Sequence, residues 1–202
     1  MQQPKRGVRM SPEARRRQIL EVAAALLSDR GVESVQITDV AEHAGVTRPI
    51  VYRFFPTREA LVLGVLEDFA AALDSAYRDA LVRTLGQPLE AIITEFVAAS
   101  CDVIEAKGAG AWRLLDSRGI AVTTGRAGLE LHDRLFSPWF RQLAEMTGVP
   151  EAEIAMIVSA VVAAGRSMLD FWIDGRVPRE VAIVNAGRGV RALIVEFAAR
   201  MR

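Results

Sequence analysis

The chain has 202 residues, of which 51% are apolar, so it can bury a sizeable core, and this composition excludes a largely disordered protein. Its 25 basic and 25 acidic residues balance, yet residues 1–58 hold ten basic against six acidic residues and the remainder fifteen against nineteen. This basic leading segment favours a polyanionic partner, although the solvated face of a helical domain can carry the same excess.

The remaining composition favours a cytoplasmic protein without a metal or a membrane span. Cys101 is the single cysteine and has no disulfide partner, while His43 and His132 lack the spacing of metal ligands. The apolar run at 154–165 is shorter than the roughly 18 residues of a membrane helix. Residues 1–10 lack the apolar stretch of a secretory signal.

Apolar residues recur at spacings of three and four along most of the chain, which predicts an all-α protein. The first helix should follow Ser11, a good N-cap, with Pro12 at its first position, and end at Gly31. Residues 1–10 before it should form a flexible basic arm. Two short helices follow at 38–44 and 48–55. Gly and Pro then divide longer helices at about 58–85, 88–107, 109–118, 126–147, 151–175 and 179–201.

The two short helices have the features of a helix-turn-helix. Ala41 is small enough for a close helix crossing, and Gly45 can adopt the positive φ that turns the chain. Thr38 and Thr47 stand where N-caps are expected. Residues 11–57 are therefore predicted to form a three-helix DNA-binding domain, and residues 58–202 a larger helical domain for ligand binding and dimerisation.

A helical wheel assigns the second short helix one buried and one exposed side. At about 100° per residue, Val51 and Phe55 lie on the buried side, while Pro49 and Arg53 point away from it. Guanidinium groups can fork onto guanine, apolar groups can contact a thymine methyl, and a phenol can reach a phosphate. This exposed side, flanked by Ile50 and Tyr52 and with Arg48 at the helix end, suits a major groove.

Arg58 opens the next helix, where a cation faces the positive end of the helix dipole. A phosphate held at that helix end would offset the repulsion, with Thr57 as the cap. Compensation by Glu59, with Arg58 simply solvated, explains the residue equally well.

The stretch ITDVAEHAGVTRPIVYRFFPTREAL at 37–61 resembles the helix-turn-helix of the TetR-like transcriptional regulators, including their Tyr-x-x-Phe and Ser/Thr-Lys/Arg-Glu-x-Leu signature. The resemblance implies phosphate contacts from Thr47, Tyr52 and Arg58 and base contacts from the neighbouring positions. The chain departs from the family at Phe54, which cannot donate a hydrogen bond. The candidate DNA-binding set is Thr38, Thr47, Arg48, Pro49, Ile50, Tyr52, Arg53 and Arg58. Its partner would be double-stranded operator DNA.

For the larger domain the resemblance implies a homodimer and a small-molecule effector, with no cofactor. The last two helices are rich in Ala, Gly and Ser on more than one face, which favours a dimer through them, although an intramolecular helix pair has the same pattern. The large or soft side chains expected around a mostly apolar pocket are Phe96, Cys101, Trp112, Phe136, Phe140, Met168 and Trp172. Arg113 and Arg166 are candidate anchors for an anionic group, although Arg166 could instead pair with Asp170. An effector would then release a repressor from an inverted-repeat operator through linkage, with the 58–85 helix as the lever.

Two other classes compete with a regulator. A small-molecule-processing enzyme lacks support because the sequence has no Gly-x-Ser-x-Gly, no phosphate loop and no paired histidines. A protein-docking module could use the same short helices. Ionic strength separates the classes, since only DNA affinity should fall steeply with salt.

Overall fold

The structure, a computed structural model, describes residues 10–32, 35–115 and 148–200, together with positions 126, 130, 141, 144 and 145. The described residues form helices and connections without a strand, as predicted. In chain order the helices are α1 Pro12–Arg30, α2 Ile37–His43, α3 Arg48–Phe54, α4 Arg58–Arg83, α5 Leu89–Lys107, α6 Ala109–Leu114, α7 Glu151–Ile173 and α8 Arg179–Arg200. We call α1–α3 the head and α4–α8 the body. The helix predicted at 126–147 lies outside the described residues.

Helix α1 begins and ends where its sequence signals predict. The Ala14 N–H donates to Ser11 Oγ at 3.1 Å, and Gly31 ends the helix with φ 80°. Its buried side holds Ile19, Leu20, Ala23, Leu26 and Leu27, and Val22 beside them is half-buried. This side packs on the rest of the head and on α4, in a core continuous with that of the body.

Helix α4 joins the two regions because its first turns pack on the head and its later turns on the body. Thr57 Oγ1 accepts the Ala60 N–H at 3.1 Å and so caps the helix, as predicted. At Gly64 a Cβ would lie 2.8 Å from Phe55 Cε1 and 3.2 Å from Leu20 Cδ2, so glycine permits close contact with the head. Further along, the Tyr77 hydroxyl hydrogen-bonds Ser100 Oγ of α5 at 2.8 Å. The predicted domain boundary after residue 57 stays a prediction.

The short helix α6 packs directly against the end of α1. The Gly110 N–H donates to Ser28 Oγ at 3.0 Å, and the Ser28 hydroxyl donates to the Ala24 carbonyl at 2.9 Å. A Cβ on Gly110 would lie 2.6 Å from backbone atoms of both Leu27 and Ser28. Glycine is therefore required for this approach, which places α6 of the body directly against the backbone of α1 in the head.

Helices α7 and α8 pack on each other and leave large apolar side chains exposed. These side chains are Met156, Val162, Phe171, Val181, Val184 and Val195. Among the described helices, α7 alone is long and apolar enough to cross a membrane by length and composition, and only 11% of its most apolar window is buried. The sequence expectation of no such span weighed only the apolar run at 154–165, whereas the length test applies to the whole helix, Glu151–Ile173. One such helix is weak evidence of a membrane span.

Candidate DNA-binding face and ligand cavity

Helix α3 has the buried and exposed sides that the helical wheel predicted. Val51 is fully buried and Phe55, the residue that follows the helix, is 3% exposed. Arg48, Pro49 and Arg53 are exposed, Tyr52 is half-exposed, and Ile50 is partly buried. Because two apolar anchors fix the helix to the head, its outward side presents two guanidinium groups and a phenol as one rigid surface. We call this surface, Arg48, Pro49, Tyr52 and Arg53, the α3 face.

The start of α3 accommodates the proline. Thr47 occupies the N-cap position in an extended conformation, and Pro49 lies in the first turn, where a missing N–H breaks no helical hydrogen bond. The Thr47 side chain makes no capping hydrogen bond, and its residue is exposed beside the α3 face. The Thr47 hydroxyl is therefore not used to cap α3, and it lies beside the α3 face, where the phosphate contact is predicted.

A tight turn sets the position of α3 relative to α2. Gly45 has φ 63°, as the sequence predicted, and the Val46 N–H donates to the Ala41 carbonyl at 2.9 Å. Sequence reasoning missed that α1 also holds this turn, since Gln18 Nε2 donates to the Ala44 carbonyl at 3.1 Å. A contact across 26 residues leaves no local sequence signal, although a polar residue beside the apolar side of α1 was a hint.

Thr38, one of the candidate DNA-binding residues, does not lie where the sequence predicted. Helix α2 begins at Ile37 after Gln36, so Thr38 stands within its first turn, half-buried, and is not the N-cap. The N-cap prediction for Thr38 is wrong because the apolar Ile37, buried against the core, already belongs to the helix. Its proposed DNA contact is untested.

Arg58 has partners that neither sequence explanation included. Its Nε donates to the Val35 carbonyl at 2.9 Å, and its Nη2 donates to the Val32 carbonyl. Backbone carbonyls of the α1–α2 connection therefore offset the cation at the start of α4. The neighbouring Glu59 carboxylate has a lowered pKa, chiefly because a backbone N–H donates to it and then because of the Thr57 hydroxyl. The explanation that Arg58 is simply solvated is wrong, and its phosphate contact stays a prediction.

The body contains a cavity of about 490 Å³, partly open to solvent, between α4, α5, α6, α7 and α8. Phe96 and Trp112 of the predicted pocket set lie on its wall, together with Arg166. The other described wall residues are Ala70, Leu73, Asp74, Tyr77, Leu89, Ile92, Ile93, Val97, Ser100, Leu115, Val158, Val161, Val162, Gly165, Leu169, Val190 and Ile194. The wall is mostly aliphatic, as expected for an apolar ligand.

Three predicted pocket residues do not line this cavity. Cys101 is fully buried in the core, where burial raises the pKa of its thiol to about 11. Met168 faces α8, because a Cβ on Gly189 would lie 2.5 Å from Met168 Cε. Trp172 packs partly buried against the core, beyond the end of the wall. Helical spacing could not separate these core positions from wall positions. The last two, Phe136 and Phe140, lie outside the described residues.

Charged groups gather where α6 meets α7, at the Trp112 end of the cavity. Arg113 Nη2 pairs with Asp174 at 2.9 Å, and Arg166 Nη1 donates to the Arg113 carbonyl at 3.5 Å. Burial raises the pKa of the Asp170 carboxyl, while Arg166 and Arg113 act in the opposite direction. The Asp170 Oδ1 and Trp112 Nε1 atoms are buried and make no well-formed hydrogen bond within the described residues. The predicted Arg166–Asp170 pair is therefore an electrostatic neighbour contact rather than a close salt bridge. Among the residues that the structure describes, no group of three or more His, Cys, Asp or Glu side chains could hold a metal.

Comparison with known proteins shows which proteins this head and this fold resemble. Residues 19–65 match the family model described as bacterial regulatory proteins, tetR family. A crystal structure of a tetR-family transcriptional regulator from Streptomyces coelicolor superimposes with a TM-score of 0.67 at 27% identity, covering 95% of this chain and 85% of that one. Residues 19–65 therefore resemble the DNA-binding region of the tetR family, and the chain as a whole has the fold of a solved tetR-family regulator.

The curated relatives match different lengths of this chain. The HTH-type transcriptional repressor KstR2 of Mycolicibacterium smegmatis is 35% identical over 88 residues, 44% of this chain and 42% of that protein. The HTH-type transcriptional activator FasR of the same species is 25% identical over 177 residues, 86% of this chain and 79% of that protein. The chain thus spans about two fifths of the length of the first curated relatives that it matches.

Proposed function

We propose that this protein is a cytoplasmic, sequence-specific DNA-binding transcriptional regulator, a homodimeric repressor that a small molecule in the body releases from an inverted-repeat operator. The observation that carries the proposal is the α3 face. A soluble head exposes two arginines and a tyrosine on the helix that follows the turn, while the opposite side of the helix is anchored in the core. In a helix-turn-helix this is the helix that enters the major groove.

The electrostatics of the α3 face suit DNA. Arg48 and Arg53 can donate to base edges or phosphates, and the α3 face carries no acidic side chain. The Arg53 guanidinium lies 5.0 Å from the centre of the Phe54 ring, a cation–π contact that favours one position for this group on the α3 face. Phe54, where the family has a hydrogen-bond donor, therefore supports the position of a neighbour instead of contacting a phosphate.

Exposed apolar residues on α7 and α8 support the homodimer. Monomeric proteins rarely expose a large contiguous apolar patch, and outside the cavity wall these two helices carry five large apolar side chains that are 43% exposed or more. A second copy related by a two-fold axis would bury the same residues on both subunits. It would also set the spacing of two α3 faces, which must be about 34–36 Å apart to enter successive major grooves.

The cavity supports regulation by linkage. Helix α4 extends from the head contact at Gly64 to the wall residues Leu73 and Tyr77, and α6 joins the wall residue Trp112 to α1 through Gly110. A ligand that prefers one arrangement of head and body must change DNA affinity by the same factor as DNA changes ligand affinity. Two elements, not α4 alone, therefore connect the cavity with the head.

Selection of bound duplexes from a random pool, with the full chain, tests the proposal. An enriched inverted repeat is expected, with affinity that falls steeply with salt because bound counterions are released. Arg53→Ala should cost about 1–3 kcal/mol at the selected site and relax sequence preference there. Arg83→Ala, an exposed arginine at the end of α4 far from the head, is the control and should leave DNA affinity unchanged.

Failure to enrich any sequence would refute specific DNA recognition and would favour the docking module. An equal loss for Arg53→Ala on selected and random duplexes would reassign Arg53 to the phosphate backbone. A reporter placed downstream of the selected site distinguishes a repressor from an activator, since the two named relatives differ in that sign.

A further inference from the structure

Helix α3 is anchored unequally along its length. In its second half and directly after it, Val51 is fully buried and Phe55 is 3% exposed. Near its start, Val46 and Ile50 are only partly buried, and the exposed Thr47 makes no capping hydrogen bond with its side chain. The first turn of the helix therefore depends on the preceding turn for its position.

A side chain of α1 holds the turn that precedes α3. Gln18 Nε2 donates to the Ala44 carbonyl at 3.1 Å across 26 residues of sequence. Ala44 is 5% exposed, and no backbone N–H among the described residues donates to its carbonyl. Loss of the Gln18 donor would therefore leave a partly buried acceptor without its protein partner, which is more costly than loss of an exposed hydrogen bond.

The amide group of Gln18 is itself oriented by a neighbour on α1. Arg15 Nη1 donates to Gln18 Oε1 at 2.6 Å, and both side chains are partly buried. Because an arginine can only donate, its bond takes the amide oxygen and leaves the amide NH₂ group for Ala44. We call Arg15 and Gln18 the α1 clamp.

The α1 clamp acts on the turn that directs α3. Ala44 directly precedes Gly45, whose φ is 63°, and the Val46 N–H ties the same turn to α2 through the Ala41 carbonyl at 2.9 Å. The turn is thus held by both of the other helices of the head. A binding group must be held within about 0.5 Å of its productive geometry, so a shift of this turn should misplace Arg48 relative to a base edge.

We propose that Gln18, oriented by Arg15, is a positioning residue that fixes α3 for reading base edges without contacting a base itself. The inference rests on the proposed function, since it names residues on which the sequence preference of the regulator depends.

Gln18→Met in the full chain tests the positioning role, because methionine keeps the length of the side chain and removes both hydrogen-bonding groups. The measured quantity is the ratio of the affinities for the selected duplex and for a random duplex. This ratio should fall about three- to tenfold, the effect of one lost hydrogen bond. Partial unfolding lowers both affinities by the same factor, so a variant that is merely less stable leaves the ratio unchanged.

Further variants separate the two bonds of the α1 clamp. Gln18→Glu keeps the shape of the side chain and an acceptor for Arg15 but cannot donate to Ala44, so it should lower the ratio as Gln18→Met does. Its added negative charge weakens the binding of both duplexes and largely cancels in the ratio. Gln87→Met, the same change at an exposed position between α4 and α5, is the control and should change nothing.

Arg15→Met tests whether Arg15 acts through Gln18. The variant should lower the ratio by a smaller factor than Gln18→Met and leave the salt dependence of binding unchanged. The double variant should lose no more than Gln18→Met alone, because both changes remove the same chain of hydrogen bonds.

Amide hydrogen exchange without DNA measures the turn directly. The Val46 N–H should exchange faster in Gln18→Met than in the wild type, because the turn opens more often when α1 no longer holds it. Exchange in α7 and α8 should stay the same.

An unchanged affinity ratio in Gln18→Met, for a wild-type chain that does select an operator, would overturn the inference and leave the proposed function intact. So would a ratio that Gln18→Glu preserves, since the donor to Ala44 would then be irrelevant, and so would unchanged exchange at Val46. A lower salt slope with an additive loss for Arg15→Met would show that Arg15 binds a phosphate and does not orient Gln18. A wild-type chain that selects no duplex would instead refute the proposed function, whatever the exchange at the turn.

Discussion

The head and the body differ in what their sequences must satisfy. In the head a seven-residue helix must present Arg53 outward while Val51 is fully buried, and a turn with φ 63° at Gly45 must join it to α2. Few sequences satisfy these requirements together. In the body, many combinations of aliphatic residues can line a cavity of about 490 Å³. This difference between head and body explains why residues 19–65 match a family model while the body is similar mainly in its fold.

The largest expected effect tests whether head and body unfold as one unit. Phe69 of α4 is 1% exposed in a core that continues from the head into the body. Phe69→Ala should lower the free energy of unfolding by about 3–5 kcal/mol, because the lost ring leaves a cavity. Chemical denaturation measures this change. Circular dichroism follows both regions, and tryptophan fluorescence follows only positions after residue 58, because the tryptophans are Trp112, Trp139 and Trp172.

One shared transition is expected for both signals of Phe69→Ala. Separate transitions, with the helical signal of the head persisting after the tryptophan signal has changed, would show that the head is an independent folding unit. Val82→Ala is the control, since Val82 is 68% exposed on the same helix and its loss should change stability little.

The next effect concerns the contact between α6 and α1. Gly110→Ala places a methyl group 2.6 Å from the backbone of α1, so it should cost about 1–3 kcal/mol of stability through overpacking. Gly187→Ala in α8 is the matched control, because its Cβ would lie 3.6 Å from Thr94 Oγ1, an ordinary contact. That variant should gain up to about 1 kcal/mol from helix propensity. Thermal melts of both variants measure the difference.

Gly110→Ala also tests the coupling between the two regions. If α6 transmits the state of the cavity, the variant should change the factor by which an effector weakens operator binding, even in samples that remain folded. An unchanged factor would leave α4 as the sole connection. Equal stability of the two glycine variants would contradict the close packing of α6 on α1.

A smaller effect distinguishes folding from DNA contact within the head. Arg58→Ala removes the donors to the Val32 and Val35 carbonyls, so it should lower stability by about 1–2 kcal/mol. Arg48→Ala is the control, since Arg48 is exposed on the α3 face and should affect DNA binding alone. Calorimetric melts without DNA measure stability, and the salt dependence of operator binding measures phosphate contact. A lower salt slope with unchanged stability for Arg58→Ala would return the residue to a purely phosphate-binding role.

How much the sequence could predict follows the same division. Local signals predicted the caps at Ser11 and Thr57, the positive φ of Gly45 and both sides of α3, because each depends on residues within one or two turns. The hydrogen bonds of Arg58 and the packing of Gly110 join residues 23 to 82 positions apart in the sequence. The spacing of apolar residues along one helix cannot predict such contacts.

Pocket residues were the least predictable part of the body. Phe96 and Trp112 line the cavity whereas Cys101 and Met168 do not, although all four lie on inward sides of helices. The wall of a cavity and the core behind it require the same residue types at the same spacing. Only the relative rotation of five packed helices separates them, and that rotation depends on the whole fold.

The smallest expected effect concerns the titration of Asp170. Burial raises the pKa of its carboxyl above the ordinary value of 3.8, and the negative charge of Asp174 adds to the rise. Arg166 and Arg113 lower the pKa but do not cancel the effect of burial. The folded protein holds this proton more tightly than the unfolded chain, so the contribution favours folding at low pH and is lost as pH rises through the raised pKa. Asp170→Asn removes the titration. The melting temperature of the variant should therefore increase relative to wild type as pH rises from the ordinary value of 3.8 through the raised pKa. Asp29→Asn, on the exposed side of α1, corrects for the general loss of one negative charge. A difference that shrinks as pH rises would mean that Arg166 and Arg113 outweigh burial in setting the pKa of Asp170.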